Sequence, residues 1–217
     1  MTKFVIFAAN GQIAQIVAHR ILSEPKFADV TLTLALRNSQ RLNNMADNPR
    51  VRVEEADLEN AQDVAAAIKG QDIVFVAVVD QSADNRVTKN VIAGMKAANV
   101  RRVIFANALG IYDEVPGEFG RWNNEQVGDG LVVARESDNL LAASGLDYTT
   151  LRLPWLNDRD EIKYSLTHRH DEYVGVSGSR QSMADVVLQI VADPSFANKD
   201  SLGIADPATQ GEDRPVY

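Results

Sequence analysis

The feature that most constrains the fold is a repeated alternation between apolar, strand-like runs and amphipathic, helix-like segments. Phe4 to Ala9 is continuously apolar, and apolar residues then recur at helical spacing from Ile13 to Ile21. Further strands are predicted at "VTLTLAL", "VRVEEAD", "IVFVAVV" and "RRVIFANA", with helices at "AQDVAAAIKGQD" and "NRVTKNVIAGMKAANV". Parallel strands need crossover connections because a tight hairpin cannot join them. The alternation therefore predicts an α/β fold with a doubly wound parallel sheet.

The rest of the chain departs from this alternation. Between Gly110 and Gly130 there are five glycines, Pro116 and three aromatic residues, which predicts a long loop. "ARESDNLLAASGLDYTTLRLP" then predicts a helix and a sixth strand, and "SMADVVLQIVADP" predicts a last helix before a polar C-terminus. With no repeat or linker, we expect one domain over 1–217, in which 154–217 forms the substrate side.

The composition of the chain limits the kinds of molecule that we expect it to bind. The net charge is -8, so a surface for nucleic acid would act against the overall field. The absence of cysteine removes disulfides and thiolate chemistry, and agrees with a cytoplasmic location. The longest apolar runs are too short to span a membrane, so no membrane partner is expected. His168 and His170 lie in a charged stretch, and we expect them to be solvated rather than to bind a metal.

The junction "FVIFAANGQIAQ" joins the first strand to the first helix. A helix N-terminus presents unpaired N–H groups that attract phosphate, and glycine lets the backbone come close to the ligand. The three positions where glycine is usual here are Ala8, Gly11 and Ala14. Taken alone, this stretch fits a plain strand-to-helix turn as well as a phosphate-binding one, and a positive φ at Ala8 would carry a cost.

Residues after the second and third strands favour the phosphate-binding reading. Arg37 follows the second strand, where a dinucleotide fold places the group that meets the adenosine ribose. A basic residue there suits a 2′-phosphate, and Arg41 is near enough to share the role. Asp57 follows the third strand, where it is placed to meet the adenine. The alternative for Arg37 is a solvated arginine at a strand end.

These segments together resemble the atypical short-chain dehydrogenase/reductases, in particular the compact NAD(P)H-binding group that includes nitrogen-metabolite-repressor-like proteins and biliverdin/flavin reductases. The resemblance rests on "FVIFAANGQIAQ", "LALRN", "EEADLEN", "RRVIFANALGIY" and "SGLDYTTLRLPWL", and covers nearly the whole chain. It implies a Rossmann-like fold with an NADP(H) site. The residues implied for that site are Ala9, Asn10, Gly11, Gln12, Ile13, Arg37, Arg41, Asp57, Leu58, Ala77, Val78, Val79, Asn107, Ala108, Pro154, Trp155 and Leu156.

The chain also departs from this family in its catalytic residues. Typical members use a tyrosine with a lysine four residues later, and the lysine lowers the pKa of the phenol. No tyrosine here is followed by lysine at that distance. Asn107 stands where a serine is usual; it can donate a hydrogen bond to a carbonyl, but it cannot act as an acid. Alcohol–ketone chemistry by the usual proton relay is therefore not expected.

Reduction of a flavin or a quinone asks less of the protein, because positioning dominates and the proton can come from water or from Tyr112. Tyr112, Phe119, Trp122 and Trp155 are predicted to form a flat apolar slot for a small, planar aromatic substrate; the alternative for each is ordinary packing. The leading hypothesis is an NADPH-dependent reductase with Asn107 and Tyr112 at its catalytic centre. A non-catalytic NADP(H) sensor and, behind it, a nucleotide-sugar epimerase or dehydratase stay open, as does a homodimer.

Overall fold

A computed structural model describes all residues from Met1 to Tyr217. It contains ten strands and six helices. The strands are β1 (Thr2–Phe7), β2 (Val30–Leu36), β3 (Val51–Glu55), β4 (Ile73–Val76), β5 (Arg102–Ala108), β6 (Asp147–Leu153), β7 (Trp155–Asn157), β8 (Ser165–Thr167), β9 (Ser177–Ser179) and β10 (Asp200–Ala205). The helices are α1 (Gln12–Ser23), α2 (Ala61–Ile68), α3 (Arg86–Ala98), α4 (Gly117–Val127), α5 (Gly130–Ala143) and α6 (Arg180–Ala192).

Eight strands form one sheet in the order β3-β2-β1-β4-β5-β6-β10-β8, and β7 pairs with β9 in a separate ribbon. Every pairing in the large sheet is parallel except that of β10 with β8. The strand order reverses between β1 and β4, and ligands of such sheets bind at the carboxyl ends of the strands beside that point. The predicted doubly wound parallel sheet is confirmed.

Both faces of the sheet are covered, which is why the central strands are apolar throughout. On one face the larger core joins strand residues such as Ile6 and Leu34 to Val17 of α1 and Val187 of α6. On the other face, Val5 and Phe105 pack with Val91 of α3 and with residues of α2 and α5. Each fully buried side chain of this size stabilises the fold by about 1.5–3 kcal/mol, so two-sided burial holds the sheet firmly under the site.

Two sequence predictions about the second half of the chain are wrong. The predicted loop from Gly110 to Gly130 contains α4, and its glycines have local tasks: a Cβ at Gly120 would collide with the carbonyl oxygen of Val115 at 2.0 Å, and Gly128 ends the helix with a φ of 54°. The polar C-terminus contains β10, a buried strand of the main sheet. Strand β10 was missed because its run "SLGIA" is short and includes Gly203.

Candidate functional site

The turn between β1 and α1 brings the five predicted residues from Ala9 to Ile13 to the carboxyl edge of the sheet. Ala8 has a φ of 55°, the left-handed conformation that a glycine adopts without strain. Ala9 is buried, and its N–H donates to Ala35 of β2. A Cβ at Gly11 would lie 3.3 Å from the carbonyl oxygen of Ala8 and 3.9 Å from that of Ala77. The backbones that follow β1 and β4 therefore both lie close to Gly11, and an added Cβ would be tight against the first and in ordinary contact with the second.

The N-terminus of α1 has no capping group of its own. Gly11 has no side chain to offer, the first turn contains no acidic residue, and the N–H groups of Gln12 and Ile13 have no acceptor in the protein. By contrast, the N-terminus of α6 is capped by the Ser179 hydroxyl, which accepts from Ser182 N–H at 3.0 Å. Unpaired N–H groups at a helix start attract anions, so the geometry fits a phosphate ligand.

Arg37 and Arg41 lie just beyond the end of β2. Both side chains are exposed, and neither makes an ion pair or a side-chain hydrogen bond within the protein. Nearby, the Ser39 hydroxyl donates to Glu55 at 3.3 Å. Two free guanidinium groups at this strand end suit a phosphate on the adenosine ribose, because guanidinium binds phosphate with two parallel hydrogen bonds. Their role with the cofactor stays a prediction.

Asp57 and Leu58 follow β3 and are half-buried. One carboxylate oxygen of Asp57 accepts from the N–H of Glu59 at 3.0 Å. The backbone N–H of Asp57 donates to the Asp63 carboxylate at 3.0 Å. The Leu58 carbonyl accepts from Asn90 at 3.0 Å. These bonds hold the end of β3 in one conformation and leave the second carboxylate oxygen of Asp57 available.

After β4, Ala77, Val78 and Val79 continue the same edge. Ala77 N–H donates to Phe7, which ties the end of β4 to the end of β1. The Val78 side chain is 38% exposed, one of the few large apolar side chains that the surface leaves open. An open valine beside an uncapped helix offers an apolar wall for a nucleotide base or ribose.

Asn107, predicted as a catalytic residue, is only 1% exposed. Its amide nitrogen donates to the carbonyl of Ala134 at 2.9 Å, and its amide oxygen accepts from Ala108 N–H at 2.8 Å. Both ends of the amide are thus engaged between β5 and α5. These contacts favour a structural role at this position over direct contact with a substrate.

Tyr112, the second predicted catalytic residue, belongs to a buried polar network. Its hydroxyl donates to the fully buried Asp138, which also pairs with Arg169 at 2.9 Å. Arg169 lies over the Tyr112 ring, 5.1 Å from its centroid, and donates to the Tyr148 hydroxyl at 2.9 Å. Burial and the hydrogen bond to Asp138 raise the pKa of Tyr112, so its phenol is a weaker acid than usual.

Glu114 organises the turn that carries Tyr112. Its carboxylate accepts from the N–H groups of Gly110 at 3.0 Å and Tyr112 at 2.9 Å, and pairs with Arg152 at 2.7 Å. Both partners of the ion pair are buried; Arg152 also donates to the carbonyls of three residues on neighbouring segments. Removing one member of such a buried pair typically costs about 3–5 kcal/mol, so this turn is rigid.

The four aromatic residues of the predicted slot fall into two separate groups. Trp122 lies 5.8 Å from Phe119 and 4.8 Å from Trp155, measured between ring centroids. Tyr112 is not in this group; it packs in a separate cluster with Ile111 and residues of α5. Phe119 is buried beneath the pair. The exposed part of the surface therefore consists of Trp122 and Trp155, which we call the tryptophan shelf.

The turn from Pro154 to Leu156 follows β6 and supports the shelf. Pro154 is buried, and Trp155 N–H donates to the carbonyl of Val176. The Trp155 indole N–H donates to Asn123 at 3.0 Å. Asn123 was not among the predicted residues, and neither were Asp138 and Arg169. No sequence pattern identifies them, because their importance comes from contacts between distant segments.

His168 and His170 lie in the charged segment that follows β8. His168 pairs with Asp200, and this carboxylate raises the pKa of the imidazole. The structure holds no group of three or more His, Asp or Glu side chains placed to bind a metal ion.

A sequence profile of NAD(P)H-binding proteins matches residues 8–194, which is most of the chain. The chain belongs to this NAD(P)H-binding family. The turn at Gly11, with its convergent backbones and uncapped helix, is thus the expected contact point for the cofactor's phosphates in a family member. No curated protein matches the chain in sequence.

Solved structures similar to this family member include short-chain dehydrogenases/reductases. One from Veillonella parvula DSM 2008, in complex with NADP, has a TM-score of 0.90 and 26% identity, and the match covers 100% of this chain and 99% of that one. A Rossmann-fold NAD(P)-binding family protein from Shigella flexneri has a TM-score of 0.81 and 30% identity, with the same coverage. The resemblance drawn from the sequence is confirmed.

A third structure shares the fold alone. ChuY, an anaerobillin reductase from Escherichia coli O157:H7, has a TM-score of 0.78 and 19% identity, covering 99% of this chain and 100% of that one. The chain is therefore an NAD(P)H-binding protein with the fold of an oxidoreductase, as predicted. None of its helices is both long enough and apolar enough to cross a membrane.

Proposed function

We propose that the protein is an NADPH-dependent reductase that transfers hydride to a planar conjugated acceptor, such as a quinone or a flavin, without a Tyr–Lys relay. The observation that carries the proposal is the combination of the uncapped helix at Gly11 with two unpaired arginines, Arg37 and Arg41, on the neighbouring strand end. The Veillonella relative's complex with NADP supports the same choice of cofactor.

The residues that would hold the cofactor each have a distinct task. The N–H groups of Gln12 and Ile13 would bind the pyrophosphate, and Arg37 and Arg41 the 2′-phosphate. Val78 offers an apolar surface at the switch point of the sheet. When bound, NADPH supplies a hydride from its nicotinamide ring.

The acceptor's proton is proposed to come from water. Reduction of a quinone converts the quinone, NADPH and one proton into a hydroquinone and NADP⁺, so one proton must be delivered. Asn107 cannot deliver it, and the Tyr112 phenol is already donated to Asp138. Quinones and flavins tolerate this arrangement because their reduced forms are stable enough to be protonated by solvent. A ketone would need a positioned acid.

Stopped-flow oxidation of NADPH with menadione and with free flavin tests the proposal. We expect the nicotinamide absorbance to fall faster than in the protein-free control, and NADPH to be oxidised faster than NADH. Absence of oxidation above the control with every acceptor would remove the reductase assignment.

One observation favours the sensor as a second candidate. Both predicted catalytic side chains, Asn107 and Tyr112, already make hydrogen bonds within the protein. The features of the site therefore support nucleotide binding more than they support catalysis. A sensor of redox ratio needs different affinities for NADP⁺ and NADPH, since equal affinities shift no conformational equilibrium. Calorimetric titration with each form decides: equal affinities together with no turnover would leave neither candidate standing.

A further inference from the structure

The side chain of Asn123 in α4 is fully buried yet leaves a hydrogen-bond donor without a partner. Its Oδ1 accepts the indole N–H of Trp155 at 3.0 Å. Its Nδ2 is buried and makes no hydrogen bond. Buried donors are nearly always paired in native proteins, so an orphan of this kind asks for an explanation.

The orientation of this amide is determined by Trp155. Exchanging the amide oxygen and nitrogen would place an NH₂ group against the indole N–H, a contact of two donors. Nδ2 therefore points away from Trp155, toward Gly110, where an added Cβ would lie 2.8 Å from it. Gly110 follows β5 at the carboxyl edge of the sheet, so the free donor lies on the edge where ligands of this fold bind.

The donor belongs to the residue that links the two rings of the tryptophan shelf, because Asn123 follows Trp122 in α4 and anchors Trp155. Trp122 is half-buried and is held by ring contacts to Phe119 and Trp155, with the Arg214 guanidinium 5.4 Å from its centroid. Its indole N–H makes no hydrogen bond within the protein, whereas Trp155 is anchored through Asn123. Of the two rings, that of Trp122 is therefore the one that can rotate without breaking a hydrogen bond.

We propose that Nδ2 of Asn123 donates to a ring carbonyl oxygen of a planar conjugated substrate that stacks on the tryptophan shelf. The inference rests on the proposed function and names the substrate class as ring carbonyl compounds. A neutral oxygen fits better than a carboxylate, because the donor is neutral and buried, and burial of an ionised acceptor is costly. Asn123 thus selects the substrate, while the tryptophan shelf contacts one face of its ring.

A pair of probes tests the donor in the native protein. Menadione and 2-methylnaphthalene share a methylated two-ring skeleton and differ in the two carbonyls. The chain has two tryptophans and no cysteine, so quenching of its fluorescence reports on the shelf and no thiol can react with the quinone. After correction for absorbance with free tryptophan, we expect menadione to bind at least about tenfold more tightly, the worth of one well-made hydrogen bond. Equal affinities would overturn the proposal.

Variants test the residue itself. In Asn123→Asp the free donor becomes an acceptor of nearly the same shape, so menadione should bind about tenfold or more weakly while 2-methylnaphthalene is unaffected. Asn124→Asp, an exposed neighbour on the same helix, makes the same change of charge and should bind menadione like the native protein. If both variants retain the native affinity for menadione, or both lose it equally, Asn123 does not contact the carbonyl.

The outcomes separate this inference from the proposed function. If menadione binds more tightly than 2-methylnaphthalene, this preference depends on Asn123 and NADPH is not oxidised, the recognition site is supported and the reductase assignment is wrong. Turnover of menadione with no effect of Asn123→Asp on its KM would keep the reductase and remove Asn123. A structure with menadione in which Nδ2 contacts only an ordered water would also overturn the proposal. If Asn123→Asp fails to fold, equal affinities of the native protein for the two probes would still overturn the proposal.

Discussion

Two strand-to-helix turns at the same edge of the sheet treat their helix N-termini in opposite ways. After β4, the buried Asp80 accepts from Thr88 N–H at 2.8 Å and from its hydroxyl at 2.7 Å, while Ser82 accepts from Arg86 N–H at 2.8 Å. After β1, the start of α1 has neither a capping side chain nor an acidic residue. Strands β1 and β4 are hydrogen-bonded neighbours, so these turns lie side by side.

The difference teaches what makes a helix N-terminus a binding site. Both helices have the partial positive charge of their aligned peptide dipoles. In α3 the Asp80 carboxylate offsets that charge and accepts from Thr88 N–H, and the Ser82 hydroxyl accepts from Arg86 N–H. In α1 the same groups are left for an external anion, and Gly11 keeps the approach open. The proposed phosphate site is thus defined by the absence of a capping side chain at the start of α1.

Gly11→Asp should have the largest effect on the comparison, because it gives α1 the kind of cap that α3 has. A carboxylate about 4 Å from a phosphate costs about 4 kcal/mol at an effective dielectric of 20, so we expect roughly a thousandfold loss of NADPH affinity. Thermal stability should hold, because aspartate is a good N-cap. Calorimetric titration measures the affinity, and Gly11→Ala is the steric control. If Gly11→Asp binds NADPH with the native affinity, the phosphates of the cofactor do not bind at the start of α1.

Arg37→Glu should come second. Loss of a charge-assisted hydrogen bond and the new repulsion should weaken NADPH roughly a hundredfold and NADH by less than about threefold. Lys96→Glu makes the same change of charge on an exposed position of α3 and should leave both affinities unchanged. Comparable losses for the two cofactors, measured by the same titration, would count against a 2′-phosphate at Arg37.

Asp80→Ala tests the closed turn. It removes the acceptor for Thr88 N–H and its hydroxyl, so the free energy of unfolding should fall by about 2 kcal/mol in denaturant titrations. NADPH affinity should stay near the native value, since the Asp80 carboxylate binds Thr88 and is not itself expected to contact the cofactor. Asp84→Ala, an exposed carboxylate in the same loop, should cost no more than about 0.5 kcal/mol. If Asp80→Ala lowers the free energy of NADPH binding by more than it lowers the free energy of unfolding, the two turns are not independent.

Ala8→Gly should have the smallest effect. It relieves the left-handed strain at a φ of 55°, partly offset by the greater freedom of glycine in the unfolded chain, so we expect a gain of up to about 1 kcal/mol. Ala9→Gly, beside it and buried without positive φ, should instead lower the free energy of unfolding by about 1 kcal/mol. If Ala8→Gly destabilises as much as Ala9→Gly, Ala8 is not strained.

The sheet and the residues at its carboxyl edge were predictable because their signals are local. Continuous apolar runs marked β1 and β4, and Arg37 was identified by its place after a strand. Helix α4 was not predicted, since Gly117 and Gly120 resemble loop residues until the position of Val115 is known. For the same reason β10, whose burial depends on its neighbours β6 and β8, was read as a polar tail.

The substrate side was less predictable because its signals come from contacts between distant segments. The sequence placed Tyr112 with the tryptophans, but the hydrogen bond to Asp138 holds it in another cluster. Nothing in "RWNNEQ" distinguishes Asn123 from Asn124; only the indole of Trp155, thirty-two positions away, does so. Residues of this kind can be found only when the fold is known.

A crystal structure of the complex with NADPH tests the central claim most directly. The account predicts pyrophosphate oxygens within hydrogen-bond distance of the N–H groups of Gln12 and Ile13, the 2′-phosphate between Arg37 and Arg41, and an unchanged Asp80 cap on α3. A pyrophosphate bound away from the start of α1, or bound at α3 with Asp80 displaced, would contradict it.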